Sequence, residues 1–494
     1  MLLFPFFTRP RSKLRAFTLT LLLSALPLAS MAASAPPERV LPAEVATALA
    51  RARVPRDAVS MLVLPVDTAG APRLAHRVDT AMNPASVMKL VTTLAALDTL
   101  GSGFTWKTQF YADGPVAGGV LQGNLYVRGG GDPKFVLERI DAAFRELQAR
   151  GVQQVRGDMV LDNSIFETIA RDPGEFDGEP MRPYNATPDG LLVNFKSLIL
   201  TFVPQPDGAT ALVRSEPPMA GVQIDATVPL NRQSCVDWRG DLQPDFSDPN
   251  AVHFLGAYSA KCGERVWPLA YVDPASYGKR VLQAMFAGAG GTLTGTVRDG
   301  RTPREARLLM EAPSLPLGEM IADVNKFSNN VMAQQVFLTL GAQARGQGSL
   351  VSAREAISNW WRKFMGTKTV APLLDNGSGL SRQERITAAA LGQMLQRAAA
   401  HPEAEVYVRS LSLAGFDGTT TRMRERGIAP HAMGNAWLKT GSLRDVASVA
   451  GFANGLSGRR YVVVGIINHP NAPAARPALD AMVEWAVNDQ QVAP

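Results

Sequence analysis

Ser86 and Lys89 stand three positions apart in the stretch Asn83-Pro84-Ala85-Ser86-Val87-Met88-Lys89. On a helix that spacing puts both side chains on one face about one turn apart, within reach of a hydrogen bond. A lysine held among apolar and cationic neighbours loses its proton near neutral pH and can take the proton of a serine hydroxyl, so the pair can run nucleophilic catalysis without a histidine. A serine in a first helical turn also sits where unpaired backbone N–H groups and the positive helix end favour developing negative charge. Taken alone, Ser-x-x-Lys is also what a helix-capping serine followed by a snorkelling lysine leaves in a sequence.

Two further stretches add hydroxyl, amide and ammonium groups. Ser328-Asn329-Asn330 falls at the junction of two expected helices, and Lys439-Thr440-Gly441-Ser442 at the end of an expected strand. Each has an ordinary reading, a helix cap in the first case and a strand end with a turn in the second. Together with Ser86 and Lys89, and in this chain order, they match the Ser-x-x-Lys, Ser-x-Asn and Lys-Thr-Gly set of β-lactamases and penicillin-binding proteins. Other chemistries leave no comparable trace: there is no Gly-x-Ser-x-Gly elbow, no phosphate loop, no Cys-x-x-Cys and no His-Glu-x-x-His, and His76, His253, His401, His431 and His469 are scattered. Gly129-Gly130-Gly131-Asp132-Pro133 lacks the Lys-Ser/Thr pair of a phosphate cradle and reads as a tight turn ending a strand. No metal and no cofactor is called for.

The elements that must position these groups follow from periodicity. Residues 40–52 read as a helix, and residues 58–66 and 73–77 as a hairpin. Asn83 reads as an N-cap and Pro84 as the first helical position of a helix running to Gly101. That helix is apolar almost all round, so it belongs in the middle of a large domain. From 105 to about 302, short alternating segments (106–112, 123–128, 158–162, 211–214 and 222–228) separated by Gly, Pro and Asp describe a mostly β insertion. Helices return over 317–326, 330–344, 352–365, 388–400 and 403–411, followed by strands over 436–440, 446–453 and 461–468 and a last helix over 474–488.

Composition narrows the function classes. The 494 residues are 46% hydrophobic and 19% charged, an ordinary globular balance, and the length suits several domains of about 100 to 200 residues each. Four of the charges behind the formal +6 are Arg9, Arg11, Lys13 and Arg15, which no acidic residue offsets in the first 32 positions, so the remainder carries +2. Such a value gives no footprint for a nucleic-acid partner. Those cations precede an apolar run over 16–28, broken by Pro27, and then the small residues of 29–35. This is the form of a cleavable secretory signal over residues 1–32, too short for a stable membrane anchor. In an oxidising compartment Cys235 and Cys262, the only cysteines, form a disulfide candidate, with two free buried thiols as the alternative.

With these residues in view, the chain resembles the serine DD-peptidases that bind penicillin. The 242 positions between Ser86 and Ser328 make it similar to the class C low-molecular-mass penicillin-binding proteins, the D-alanyl-D-alanine carboxypeptidase/endopeptidase family of the peptidase S13 type. Local matches include Pro183-Tyr184-Asn185-Ala186 and Asp375-Asn376-Gly377-Ser378-Gly379-Leu380-Ser381. The resemblance implies an α/β (α+β) fold: a transpeptidase-like domain over 35–104 and 303–494, with an antiparallel sheet flanked by helices, and an inserted region over 105–302 forming two nested subdomains. It implies that Ser86 attacks the bond between two D-alanines, or a D-alanyl cross-link of peptidoglycan, with Lys89 as general base. Ser328 would relay protons to the leaving amine, and Asn330 would hold the substrate amide and contact Lys89. Lys439 would supply positive charge that keeps Lys89 deprotonated and attracts a substrate carboxylate, Thr440 and Ser442 would contact that carboxylate, and the N–H groups of Ser86 and Ser442 would form the oxyanion hole. Gly441 leaves room for a peptide laid along the strand. Asp375 to Ser381 reads either as a loop lining the cleft or as a plain Gly-rich turn, and Asp162 as a turn aspartate rather than a reader of a diamino acid. No glutamate-bound deacylating water has a place here, so β-lactams are expected as long-lived covalent inhibitors. The expected compartment is the periplasm and the expected partners are peptidoglycan stem peptides and cross-links. A β-lactamase-like hydrolase and a non-catalytic wall-binding protein of this fold are the alternatives.

Overall fold

The apolar runs near the C-terminus build the middle of a six-stranded antiparallel sheet, in the order Leu74–His76, Val59–Pro65, Arg460–Asn468, Val446–Asn454, Ala436–Leu443, Ser412–Leu413. The computed structural model describes residues 40–67 and 70–490, so the expected leader over 1–32 lies outside the described residues. Val446–Asn454 and Arg460–Asn468 are buried along nearly their whole length because both sheet faces are covered. Alternation then sorts their side chains. Val462, Val464 and Ile466 face one core, and Val463 and Ile467 face the other.

The first core holds the helix Lys89–Leu100 at its centre, among Leu317–Lys326, Asn330–Arg345, Leu350–Met365 and Ala388–Ala399. Residues 89 to 97 of the central helix are all buried, as its all-round apolar pattern requires. The second core, on the opposite face, is closed by the terminal helices Ala43–Arg51 and Arg476–Val487. Helices from both ends of the described chain thus cover one face of the sheet, and helices from the interior of the chain cover the other.

The middle of the chain adds two more layered units. A mixed sheet runs in the order Val297–Asp299, Met159–Asp162, Leu125–Arg128, Lys107–Ala112, Arg307–Pro313. It packs on the helices Leu137–Ala149 and Pro274–Gly288 in a core of its own. A second five-stranded sheet, Tyr258–Ser259, Thr227–Asn231, Thr210–Glu216, Ser197–Pro204, Arg265–Ala270, surrounds a smaller aromatic core. The two helices went unnoticed among the short β segments, although Ile140, Ala143, Phe144 and Leu147 keep the helical period. The strand expected over 222–228 is broken at Asp225, whose carboxylate accepts the N–H of Phe254 at 2.9 Å, leaving Gln223–Ile224 and Thr227–Asn231 as separate pieces. Gly129 to Asp132 do not form the expected tight turn: Gly129 and Gly131 donate to the Asp162 and Gly190 carbonyls at 2.9 Å, with Gly131 at φ 83°, and the chain turns only at Pro133-Lys134.

Cys235 and Cys262 are bonded, with Cα atoms 5.1 Å apart, at the edge of the aromatic core. Closing a loop of 27 positions stabilises by about 3.5 kcal/mol through the unfolded state. Reduction, or the Cys235→Ser/Cys262→Ser pair, should therefore cost the distal unit about that much. Hydrogen exchange should register it as lost protection in Ser197–Pro204 and Thr210–Glu216. Unchanged protection there would sink the expectation, as would equal loss in the six-stranded sheet.

Candidate active site

The nucleophile stretch does not begin as a simple helix. Residues Ala85–Met88 form a 3₁₀ turn that leads into the α-helix Lys89–Leu100, and Asn83 closes an Asx turn, its Oδ1 accepting the N–H of Ala85 at 2.8 Å. This corrects the expected N-cap at Asn83: the asparagine acts on the residue two ahead and is itself pinned to Asn468 and Ser381. Ala85 is held at φ 47°, a left-handed conformation that a non-glycine residue keeps only when its surroundings enforce it.

Two glycines press on that turn from either side. A Cβ on Gly379, which lies at φ 79°, would fall 2.0 Å from the Ala85 carbonyl oxygen and 2.6 Å from the Ser86 nitrogen. A Cβ on Gly441 would fall 2.6 Å from the Pro84 oxygen and 2.3 Å from Ser448 Oγ. The reason for glycine at 441 therefore differs from the expected one: an added atom would strike the protein's own backbone before it met a bound peptide. Ser448 Oγ donates to the Pro84 oxygen at 2.6 Å and completes the clamp.

All five expected catalytic residues converge. Lys89 Nζ lies 3.0 Å from Ser86 Oγ and 2.7 Å from Asn330 Oδ1, and it also meets the Ser378 carbonyl oxygen. Lys439 Nζ donates to Ser328 Oγ at 2.9 Å and to the Thr440 carbonyl at 2.6 Å. Ser328, at φ 58°, reverses the chain between Leu317–Lys326 and Asn330–Arg345, while Asn329 caps the second helix through the Met332 N–H. Thr440 shares a hydroxyl contact of 2.7 Å with Thr419, and Ser442 accepts from Arg476 at 3.2 Å. Ser86, Ser328, Asn330, Thr440 and Ser442 line one cleft of about 680 Å³.

Electrostatics favour a neutral lysine beside the serine. Lys89 is fully buried, and desolvation, with the Lys439 charge second, holds its pKa well below the ordinary lysine value, while Glu384 pulls it back up. Burial brings Lys439 down to about 7. A neutral Lys89 keeps two donors, which Asn330 Oδ1 and Ser378 O accept, and turns its lone pair toward the Ser86 hydroxyl. That is the arrangement of a base poised on a nucleophile.

Several contributors had no mark in the sequence. Glu384 is fully buried, and its Oε1 accepts the N–H groups of Asp375, Asn376 and Gly377 at 2.9 to 3.1 Å. It thereby shapes the loop that offers the Ser378 carbonyl to Lys89, so this loop is part of the site rather than a plain turn. Desolvation pushes the Glu384 carboxyl above its usual range, and the three N–H groups draw it back. Thr419 and Arg476 likewise carry no mark in the sequence, and the Tyr184 carbonyl, in the stretch Pro183 to Ala186 matched above, accepts from Asn330 at 3.2 Å. Their partners lie far off in the chain, so spacing carries no signal for them. Asp162 does not line the cleft; its carboxylate accepts the N–H groups of Ser164 and Thr302, as a turn aspartate does. Among the described residues no cluster of three His, Cys, Asp or Glu could hold a metal ion.

Three comparisons place this geometry among known proteins. The model of the D-Ala-D-Ala carboxypeptidase 3 (S13) family matches residues 41–489. The chain is 30% identical over 447 residues to a D-alanyl-D-alanine carboxypeptidase of Actinomadura sp. (strain R39), covering 86% of this chain and 80% of that one. It is 24% identical over 390 residues to the D-alanyl-D-alanine carboxypeptidase DacB of Haemophilus influenzae, covering 79% and 81%. The crystal structure of penicillin binding protein 4 (dacB) from that organism superposes with a TM-score of 0.73 at 22% identity, over 90% of this chain and 99% of that one.

The glycine clamp carries its own test. Gly379→Ala should cost about 2 to 4 kcal/mol, from a strained φ plus a forced shift of the Ala85 backbone. Denaturant melts measure it, and a wild-type midpoint would mean that the nucleophile turn is not wedged as described.

Proposed function

The chain belongs to the D-Ala-D-Ala carboxypeptidase 3 (S13) family, and from that premise we propose that it cleaves both D-alanyl-D-alanine termini and D-alanyl cross-links of peptidoglycan through an acyl-enzyme on Ser86. It is a serine-type D-Ala-D-Ala carboxypeptidase. The observation that carries the mechanism is Lys89 Nζ at 3.0 Å from Ser86 Oγ with its other donors already engaged.

In this reading Lys89 takes the Ser86 proton as the oxygen attacks the carbonyl carbon of the penultimate D-alanine. The oxyanion is received by the N–H groups of Ser86 and Ser442. The C–N bond then breaks. The proton that Lys89 took passes through Ser328, whose hydroxyl Lys439 orients, to the leaving amine, and Lys89 is neutral again for the second step. Asn330 holds the acyl-side amide, and Thr440 and Ser442 meet the leaving carboxylate. Water, activated by the same lysine, releases the acyl group. Lys439 acts at one remove as well, since its positive charge helps to keep Lys89 deprotonated.

A β-lactam presents an amide and a carboxylate in the same relation and acylates Ser86. Penicillin binding protein 4 of Haemophilus influenzae has been crystallised in complex with a β-lactam. Glu384, the buried carboxylate near Lys89, spends its Oε1 on three backbone N–H groups and does not line the cleft, so it is badly placed to hold a deacylating water there and slow turnover of the adduct is expected. Inhibition, rather than β-lactam hydrolysis, is the reading this supports. Residues 105–302 are read as an inserted region of two nested subdomains, completed by the strand Arg307–Pro313 that pairs with Lys107–Ala112; two separate cores support this. Export to the periplasm rests on the N-terminal cationic and apolar pattern of residues 1–32. Among the described residues no helix is long and apolar enough to cross a membrane.

Mass spectrometry of cross-linked muropeptides incubated with the protein tests the activity. Pentapeptides should lose one D-alanine and dimers should fall to monomers. Ser86→Ala should remove both reactions and the covalent penicillin label. Intact muropeptides with folded wild-type protein would overturn the reading in favour of a wall-binding role.

The pH profile tests the two lysines separately. Lys89 works neutral, so kcat/KM rises with pH as this group, depressed well below 10.5, gives up its proton. Lys439 works as a cation with a pKa of about 7 in the free enzyme, so kcat/KM falls again above that value. A bound carboxylate raises the Lys439 pKa, and the alkaline limb of kcat should therefore lie higher than that of kcat/KM. A kcat/KM that stays level from about pH 7 to 9 would remove Lys439 from the cationic role.

A further inference from the structure

Lys439 is a poor reader of a carboxylate for two reasons of geometry. It is fully buried, and its Nζ directs its donors to Ser328 Oγ and the Thr440 carbonyl. The hydroxyl end of the same strand, Ser442, is exposed, and it is there that a second cation arrives. Arg476, the first residue of the helix Arg476–Val487, reaches the cleft and donates from Nη2 to Ser442 Oγ at 3.2 Å. Its only other described hydrogen bond is a long one to the Pro473 carbonyl at 3.5 Å, so most of the five donors of this guanidinium are unspent.

The charge around Arg476 is unbalanced. The nearby carboxylate, Asp480, is held by Arg426 through both of its oxygens, at 2.6 and 2.9 Å. Arg422 lines the same end of the cleft, and among the described residues neither it nor Arg476 has an ion-pair partner. Burial and the neighbouring Arg426 and Arg422 charges push the Arg476 pKa down, yet a guanidinium stays protonated at every pH at which the enzyme works. Three guanidinium groups thus share one carboxylate beside the two hydroxyls that face the leaving side of Ser86. An anion placed there would relieve the crowding and gain a planar, bidentate partner.

We propose that Arg476 is the specificity-determining residue for the carboxylate on the amine side of the scissile bond, binding it together with the Thr440 and Ser442 hydroxyls, while the Arg426–Asp480 pair positions the helix start that carries it. The inference deepens the DD-peptidase reading and rests on it. Free D-alanine carries its carboxylate on the carbon bearing the leaving amine, and so does the cross-link amine of a diaminodicarboxylic residue, so either leaving group would meet the same guanidinium. Division of labour follows: Lys439 handles protons, and Arg476 handles the permanent charge.

The test compares an acid with its ester. Arg476→Ala and Arg476→Gln are assayed for acylation by benzylpenicillin and by benzylpenicillin methyl ester, and for kcat/KM on a pentapeptide ending in D-Ala-D-Ala. The expected result is a loss of at least about tenfold on the acid and the peptide, expressed mainly in KM, against under about threefold on the ester, with an unchanged melting temperature. Arg476→Lys, which keeps the charge but not the fork, should fall between. Equal losses on acid and ester, or no loss on the acid, would overturn the proposal. A wild-type protein that neither cleaves the peptide nor is acylated overturns the DD-peptidase reading itself, and that result is visible before any variant is made.

Discussion

A single nitrogen atom, Nζ of Lys89, ties the site together. It has no contact with solvent, and three oxygens from three separate parts of the chain surround it: Ser86 Oγ, Asn330 Oδ1 and the Ser378 carbonyl. Burying an ammonium costs several kcal/mol unless every proton finds a partner. The central helix, the start of Asn330–Arg345 and the Gly377–Gly379 loop must therefore meet at one point for the chain to tolerate the residue at all. Stability and chemistry share this constraint. The same desolvation that makes the cation costly lowers the Lys89 pKa and leaves the amine neutral, with a lone pair free to face Ser86.

The supports of that point extend through the molecule in named steps. Glu384 gathers three consecutive N–H groups and so fixes the loop that presents Ser378. Gln335, buried on Asn330–Arg345, donates to the Gly131 and Asp189 carbonyls and accepts the Asp189 N–H, fastening the Asn330 helix to the middle region of the chain. Asn330 itself reaches that region through the Tyr184 carbonyl. The middle region is thus bonded to the helix that carries one of the Lys89 partners.

Much of this was legible in the residues, for reasons that differ by element. The central helix and the three C-terminal strands are marked by long unbroken apolar patterns, which survive any tertiary context. Ser86, Lys89, Ser328, Asn330 and Lys439 are legible because each motif places its groups within four positions of one another. Glu384, Thr419 and Arg476 were not, since each acts on atoms 7 to 34 positions away, and nothing local sets an acidic or basic residue of that kind apart from a solvated one. The helices Leu137–Ala149 and Pro274–Gly288 escaped for another reason: each is a single amphipathic segment among short strands, and their partners are non-local. Asn83 marked the right boundary with the wrong geometry, because an Asx turn and an N-cap draw on the same residue types.

Backbone strain explains why the Ser86 and Ser328 hydroxyls point where they do. Ala85 precedes Ser86 at φ 47°, and Ser328 itself lies at φ 58°. A left-handed conformation costs a residue with a Cβ about 1 to 2 kcal/mol, so neither would persist in an unconstrained chain. At the first site the strain is opposed by the Asn83 bond to Ala85, by the Ser448 bond to Pro84 and by the close-packed backbones of Gly379 and Gly441 on either side. At the second it is opposed by the cap at Asn329 and by Lys439, whose ammonium draws the hydroxyl toward the strand. A relaxed Ala85 would rotate Ser86 away from Lys89, and a relaxed Ser328 would leave buried Lys439 with the Thr440 carbonyl in place of two oxygen partners. The cost of a buried lysine is therefore what holds each strained residue in place, and the strained residue in turn supplies the oxygen that makes the buried lysine tolerable.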